Sequence, residues 1–290
     1  MAKVSICIPS YNAGRFIGET IKSVLDSVYQ DFEIIVNDDA STDNTREVVH
    51  SFQDSRIRFY QNDKNVGTVQ NWNLAIKKAC GEYAGLLNHD DLYGPFWLTF
   101  AVHQLEKHPH ICWVATAHRI IDENGKTLDG VSRFPKTGEI NRTEAFLEIA
   151  KQYGLGPGFI ARRRVLDEIG YYDEEVGPSA DNDLFLRLAA RYPLFYCANY
   201  PHTAWRLHQS NLTHRWGPIE QTTEGIRILN KNFDNHTLPQ ELQQYRDSCL
   251  SYYLRKSKTY ADQFFDVNDQ NTYNKIIHIL KLNGYTDSES

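Results

Sequence analysis

Four short apolar segments, at residues 4–8, 33–37, 57–61 and 83–88, alternate with stretches whose apolar residues recur at helical spacing. Ile17, Ile21, Val24, Leu25 and Val28 form one such stripe, Val48 and Val49 face inward from a second at 44–52, and a third runs over 69–79. A helix between two strands carries the chain back to the end of the sheet where it began, so the strands pair in parallel. The alternation therefore predicts an α/β fold, a mostly parallel Rossmann-like sheet flanked by helices on both faces. A helix at 94–107 and a strand at 111–116 continue the pattern. Beyond residue 116 the order loosens. Residues 120–126 read as a hairpin around Asn124-Gly125, a favoured turn dipeptide, and 154–158 as a glycine-rich loop. A helix at 181–191, a short strand at 195–197 and a helical stretch at 217–282 follow, with Leu238-Pro239 opening one of the last helices.

A chain of 290 residues with 41% hydrophobic and 23% charged residues can bury a large core. Its net charge of −6 argues against a nucleic-acid partner, which would need a basic face. An acidic protein that binds a phosphorylated ligand needs a local cation, and a divalent metal supplies one. The five cysteines, Cys7, Cys80, Cys112, Cys197 and Cys249, are scattered and odd in number, without a CxxC. They read as reduced, mostly buried thiols of a cytoplasmic protein. The opening apolar stretch is too short for a signal peptide, and no run of about 18 apolar residues exists. The chain does not span a membrane on this reading, although it could rest on the inner face of one.

Carboxylates stand where the strands end. Asp38 and Asp39 close the second strand, Asp90 and Asp91 the fourth, and Asp181 opens the helix at 181–191. Open α/β sheets bind ligands beyond the carboxyl ends of their strands, and paired carboxylates there are costly unless they hold a cation or a hydrogen-bonding ligand. One of Asp38 and Asp39 can accept from a nucleobase N–H, because Ser41, Thr42 or Asp43 can cap the next helix instead. Asp90 and Asp91 suit a hard cation such as Mg²⁺ or Mn²⁺. His89 falls on the other side of that strand and is not counted as a ligand. Asp181 and Asp183 would also be stabilised simply by the start of a helix. Arg206 could offset phosphate charge, and His208 could ligate metal or assist phosphate departure. Neither GxGxxG nor GxxxxGK[ST] occurs, which disfavours NAD-binding and P-loop sites.

Together these segments resemble the inverting GT-A glycosyltransferases of family 2. The resemblance covers roughly residues 3–213. It rests on Val4-Ser5-Ile6-Cys7-Ile8-Pro9-Ser10-Tyr11-Asn12, Glu19-Thr20-Ile21-Lys22-Ser23-Val24, the run from Asp31 to Asp43, Asn65-Val66-Gly67, His89-Asp90-Asp91, the Asp181 segment and Arg206-Leu207-His208-Gln209-Ser210-Asn211. It implies that the segment Pro9–Tyr11 and Asp39 hold the base, with Asn12 beside them in the nucleotide site, that Asp90 lies near the ribose, and that Asp91 binds Mn²⁺ or Mg²⁺, to which His208 is the candidate second ligand. It implies further that Asp181 is the catalytic base; Arg206 and Asp183 are the candidates for the donor phosphate or the acceptor. Ala180-Asp181 stands where many relatives have Glu-Asp, and His-Asp-Asp where they have Asp-x-Asp. The polymerising relatives carry Gln-x-x-Arg-Trp; here Leu212 replaces the Gln ahead of Arg215-Trp216, so a single-sugar transfer is expected.

The expected organisation is a GT-A domain at 1–215, its nucleotide-binding half at 1–115 and acceptor-binding half at 116–215, with a C-terminal helical extension at 216–290. The expected partners are a UDP- or dTDP-sugar and a glycan or lipid-linked glycan. A sugar-phosphate nucleotidyltransferase and a non-catalytic nucleotide-sugar binding protein are the alternatives. In the extension, Tyr252, Tyr253, Leu254, Lys256 and Lys258 could meet a membrane surface, cover the sheet or form a homodimer contact. Loops 130–140 and 154–160 would choose the sugar and acceptor, which one sequence does not reveal.

Overall fold

The computed structural model describes residues 2–151, 154–211, 217–235, 238–266 and 269–286. The first half alternates as the periodicity predicts: β1 (Val4–Ser10), α1 (Ile17–Leu25), β2 (Phe32–Asp38), α2 (Thr45–Ser51), β3 (Ile57–Gln61), α3 (Thr68–Lys77) and β4 (Tyr83–Leu86). β5 (Leu92–Tyr93), α4 (Trp97–Lys107), β6 (Trp113–Thr116), β7 (His118–Ile121), β8 (Thr127–Val131), β9 (Gly138–Ile140) and α5 (Arg142–Lys151) come next. After these come β10 (Phe159–Arg162), α6 (Arg163–Ile169), α7 (Ala180–Arg191), β11 (Leu194–Cys197) and β12 (Thr203–Arg206). Four helices close the chain: α8 (Pro218–Asp234), α9 (Gln240–Gln243), α10 (Arg246–Asp266) and α11 (Gln270–Leu282).

The main sheet has the order β3-β2-β1-β4-β10-β6-β11-β9. β1, β2, β3 and β4 pair in parallel, as do β6 and β11, whereas β10 runs antiparallel to both β4 and β6. β10 follows α5 and the glycine-rich loop, and with four residues it is too short to stand out in the sequence. Gly85 lets it close on β4: a Cβ there would lie 2.4 Å from the Phe159 carbonyl oxygen. Apolar residues fill both faces, with Ile6, Ile8, Ile34 and Val36 on one and Cys7, Ile35 and Trp113 on the other. This two-sided burial is why the central strands read as continuous apolar runs.

A second sheet, β5-β12-β7-β8, stands beside the first. The hairpin predicted around Asn124-Gly125 is its β7–β8 turn, and Gly125 takes the positive φ, 82°, that the turn requires. β12 and β5, which local pattern did not reveal, bring residue 206 beside the aspartates that follow β4. The cysteines have the expected state among the described residues. All five are free, four of them buried and Cys80 exposed.

Candidate active site

Beyond the carboxyl ends of β1, β2 and β4 opens a cavity of about 1120 Å³. Pro9, Tyr11, Asn12, Asp39, Asp90, Asp91, Asp181 and His208 all line it. The topology brings these residues together from five separate turns, at the position where α/β sheets place ligands.

The first two turns are laced to each other. Asn12 donates its N–H to Ser41 Oγ at 2.8 Å, and its Oδ1 accepts from Thr42 N at 2.9 Å. Asp38 is consumed by this lacing, accepting from Ser10 Oγ, Ser41 N and Gln61 Nε2. Asp43, not Asp38, accepts from Thr45 N, the first amide of α2. Asp39 Oδ1 accepts from Asn62 Nδ2 and Val66 N, while Oδ2 accepts from Gly67 N alone and retains capacity for a further donor. Ala40 follows in the left-handed region, φ 59°, a strain of about 1 kcal/mol that sets the turn beside the cavity. Tyr11, 46% exposed, presents a ring at the rim. Pro9 needs no N–H toward β4, because β1–β4 pairing has ended at Cys7.

The second aspartate pair is divided by its surroundings. Asp90 Oδ2 lies 2.9 Å from His208 Nε2 and accepts from Asn211 Nδ2 at 3.1 Å. Burial alone would raise its pKa, but the neighbouring imidazoles of His89 and His208 hold it below the usual carboxylate range. Asp91 is fully buried. One oxygen accepts from Arg206 N at 3.0 Å and the other from Asn88 Nδ2 at 3.3 Å. Burial, and then the charge of Asp90, push its pKa well up. His208 is oriented by Ser210 Oγ, 2.8 Å from Nδ1, and packs on the Phe16 ring.

Two of the expected contacts are corrected by this geometry. Arg206 does not face the cavity: its guanidinium is fully buried and donates to Asp90 O, Glu123 O and Glu19 Oε2. It staples β12 to α1 and to the aspartate turn, so it has no donor left exposed for a phosphate. Replacing it with Met should destabilise the fold by about 1–3 kcal/mol, measured by urea unfolding, because the buried Asp90 carbonyl loses its donor. Asp183 is likewise fully buried, accepting from Arg187 Nε at 2.8 Å and from Lys231 Nζ and Asn232 Nδ2 at 3.0 Å. Its carboxylate locks α8 onto α7. Helical spacing turns it away from Asp181, which is two residues earlier.

Asp181 itself opens α7 with its carboxyl on the cavity. Burial pushes its pKa up to about 6, and the Asn182 N–H, 2.8 Å from Oδ1, offsets this only in part. A carboxylate poised there can accept a proton near neutral pH.

The donor set suits a divalent cation by its chemistry. Asp90 offers an ionised oxygen, and His208 a nitrogen with its other ring atom fixed. Asp90, Asp91 and His208 do not bring three ligand atoms together. Among the described residues only His108, His110 and Glu139, before β6 and on β9, do so within 4.8 Å. A cation in the cavity would therefore complete its shell with phosphate oxygens and water, as Mg²⁺ and Mn²⁺ commonly do.

Sequence reasoning missed the far wall. Trp72, His118, Arg133 and Trp205 line the cavity, and α10 adds Tyr253, Lys256, Ser257 and Tyr260. Spacing alone could have grouped the α10 residues, which share one helix face. The proposed membrane-facing set is dispersed: Tyr253 and Leu254 are buried, Lys256 reaches the cavity, and Lys258 pairs with Asp262. The Leu212 and Arg215-Trp216 positions lie outside the described residues. No helix among those described is long and apolar enough to cross a membrane.

Residues 5–170 match the family model described as Glycosyl transferase family 2. Over 191 residues the chain is 34% identical to an uncharacterized glycosyltransferase of Rickettsia bellii (strain RML369-C), covering 66% of this chain and 27% of that protein. Two further Rickettsia relatives are each covered over 32% of their length, so the chain spans about a third of these proteins or less. Among solved structures, S. aureus TarS 1–349 in complex with UDP-GlcNAc is similar at TM-score 0.75 and 21% identity, over 96% of this chain and 80% of that one. The mannosyltransferase PcManGT from Pyrobaculum calidifontis, in complex with GDP-Man and Mn²⁺, is similar at TM-score 0.64 and 15% identity, over 98% and 76%. Both likenesses are of fold.

Proposed function

The chain belongs to glycosyl transferase family 2 and is a glycosyltransferase of GT-A fold, and from that premise we propose that it moves a single sugar, with inversion, from a UDP- or dTDP-sugar to a hydroxyl of a glycan or lipid-linked glycan. The observation that carries this reading is the single cavity lined by Asp39, Asp90, Asp91, Asp181 and His208. Residues 1–215 act as the transferase domain and 216–290 as a helical extension. Family membership sets aside the nucleotidyltransferase and non-catalytic alternatives.

Tyr11 and Pro9 cover the base, whose imide N–H donates to the remaining position on Asp39 Oδ2, while Asn12 keeps the two base-binding turns in register. The Asp181 carboxylate takes the proton of the acceptor hydroxyl as that oxygen bonds to the anomeric carbon. The bond from that carbon to the diphosphate oxygen breaks at the opposite face, and the nucleoside diphosphate leaves. We assign the cation, Mn²⁺ or Mg²⁺, to Asp90 and His208, exchanging the roles expected of Asp90 and Asp91, because Asp90 faces a second ligand atom in His208 Nε2 whereas Asp91 is fully buried. Bound there, a divalent cation would neutralise the charge developing on the diphosphate. Asn211 and Ser210 hold Asp90 and His208 in place. The same reading puts Arg206 and Asp183 in the framework.

Nucleotide release from a panel of UDP-, dTDP- and GDP-sugars, with Mn²⁺ and with chelator, tests this. Release from one donor, lost on chelation, is expected. Release that chelation leaves unchanged would sink the metal assignment, and a failure of every nucleotide to bind would sink the donor assignment.

A further inference from the structure

A second group of ligand-type side chains stands at the opposite end of the main sheet. β10 is antiparallel to both β4 and β6, so β6 runs the same way as β4 and its amino end lies away from the cavity. His108 and His110 precede that end. Pro109 keeps His108 out of the helical region, at ψ 83°, so α4 stops at Lys107. The Ile111 N–H then donates to His108 O at 2.9 Å, and the two imidazoles leave one tight turn two residues apart. Glu139 reaches them from β9, the outermost strand of the sheet, where it sits opposite Phe195 of β11. None of the three lines the cavity.

Glu139 offers each imidazole a separate oxygen. His108 Nδ1 lies 3.0 Å from Oε1 and His110 Nε2 lies 3.0 Å from Oε2, and one ligand atom from each residue falls within 4.8 Å of the others. Zinc bonds of about 2.0–2.2 Å at tetrahedral angles space ligand atoms about 3.3–3.5 Å apart, inside that range. The backbone already holds this frame. The His108 N–H closes α4 on Gln104 O, the His108 ring packs on Phe195 at 5.5 Å, and Glu139 is fixed by the β9–β11 ladder. Two imidazole nitrogens and one carboxylate suit a late first-row divalent metal better than Mg²⁺ or Ca²⁺, which take oxygen ligands. His108 is half-buried, whereas His110 and Glu139 are exposed, so a fourth position is open to solvent.

We propose that His108 Nδ1, His110 Nε2 and one oxygen of Glu139 bind a zinc-class divalent ion, with water as the fourth ligand, in a structural site separate from the transferase cavity. The ion ties the turn between α4 and β6 to β9, a three-residue strand with a single neighbour in the sheet. A short edge strand has little pairing of its own, so a metal bond across to the α4–β6 turn adds stability to the folded state.

Calorimetric titration of the untagged, metal-free protein with Zn²⁺ tests it, repeated on Asp90→Asn, His110→Ala and Glu139→Gln. About one equivalent should bind with a Kd of about 1 μM or below, and should persist in Asp90→Asn, where the transferase cation has lost its carboxylate. That equivalent should weaken by about 10²-fold in His110→Ala and in Glu139→Gln, while both variants keep Mn²⁺-dependent UDP binding. Thermal melts supply a second readout. Zn²⁺ at a hundredfold excess over Kd should raise the midpoint of the natural protein by about 5 °C and leave that of His110→Ala nearly unmoved. His110 is exposed, so without zinc its Ala variant should melt with the natural protein. Zinc binding that disappears in Asp90→Asn, or that neither His110→Ala nor Glu139→Gln weakens, would overturn the proposal. So would the absence of binding at 100 μM Zn²⁺, on the order of a hundred times the expected Kd, which would leave the three side chains a hydrogen-bonded cluster only. None of these outcomes bears on the transferase reading, which the UDP titrations follow separately.

Discussion

Asp181→Asn is expected to abolish sugar transfer, by about 10³-fold or more, and at the same time to make the protein more stable at pH 8. The first effect follows from removing the only proton acceptor assigned to the acceptor hydroxyl. The second follows from the Asp181 pKa, pushed up to about 6 by burial. An unfolded Asp titrates near 4, so between pH 4 and 6 the folded state holds the proton that the unfolded state has lost. Stability therefore falls as pH rises through that window, and above pH 6 the ionised carboxylate carries a constant penalty. For this partly exposed group the penalty is about 1–3 kcal/mol. The Asn variant escapes it above pH 6 and gains nothing below pH 4. Thermal melts of both proteins at pH 4 and pH 8, beside transfer assays, would check the pair of effects. Turnover of the natural enzyme should rise with pH with a midpoint near 6. An inactive variant without a stability gain at pH 8 would argue against a destabilised base, and an active one would remove Asp181 from the mechanism.

Asp90→Asn should cost more function than Asp91→Asn, the reverse of what the family resemblance implied. Asp90 Oδ2 faces His208 Nε2, a second ligand atom, whereas the oxygens of Asp91 accept from Arg206 N and Asn88 Nδ2 at a fully buried residue. An amide in place of Asp91 keeps an acceptor for Arg206 N. In place of Asp90 it loses the ionised ligand for a cation and puts a second amide beside His208 and Asn211. Metal-dependent UDP binding should weaken by about 10²-fold in Asp90→Asn and by less than about tenfold in Asp91→Asn. Titrations with Mn²⁺ and with chelator would rank the two. A larger loss in Asp91→Asn would return the cation to Asp91.

The first 116 residues, β5 apart, were legible because each of their longer elements is written in its own local periodicity. Ile17, Ile21 and Val24 mark the buried stripe of α1, and the apolar run at 33–37 marks a strand covered on both faces. The carboxylates at the strand ends were legible for the same reason, since a turn after a buried strand has to open at the sheet edge. β12 and β10 were not, because four residues carry too little pattern to distinguish a strand from a loop. The roles of Arg206 and Asp183 were misread because their chemistry suits a phosphate or a substrate equally well, and only burial shows that neither reaches the cavity.

By itself, then, the sequence determined the α/β alternation, the family, and the positions of Asp39, Asp90, Asp91 and Asp181 at one end of a sheet. Tertiary structure alone decided which groups meet there. The partner of Asp90 is 118 residues away at His208, that of Asp91 is 115 residues away at Arg206, and the α10 wall comes from later still. Local spacing specifies an element and the face it buries. Which carboxylate stays open to a ligand, and which is closed by a distant donor, depends on the packing of elements that are not neighbours in the chain.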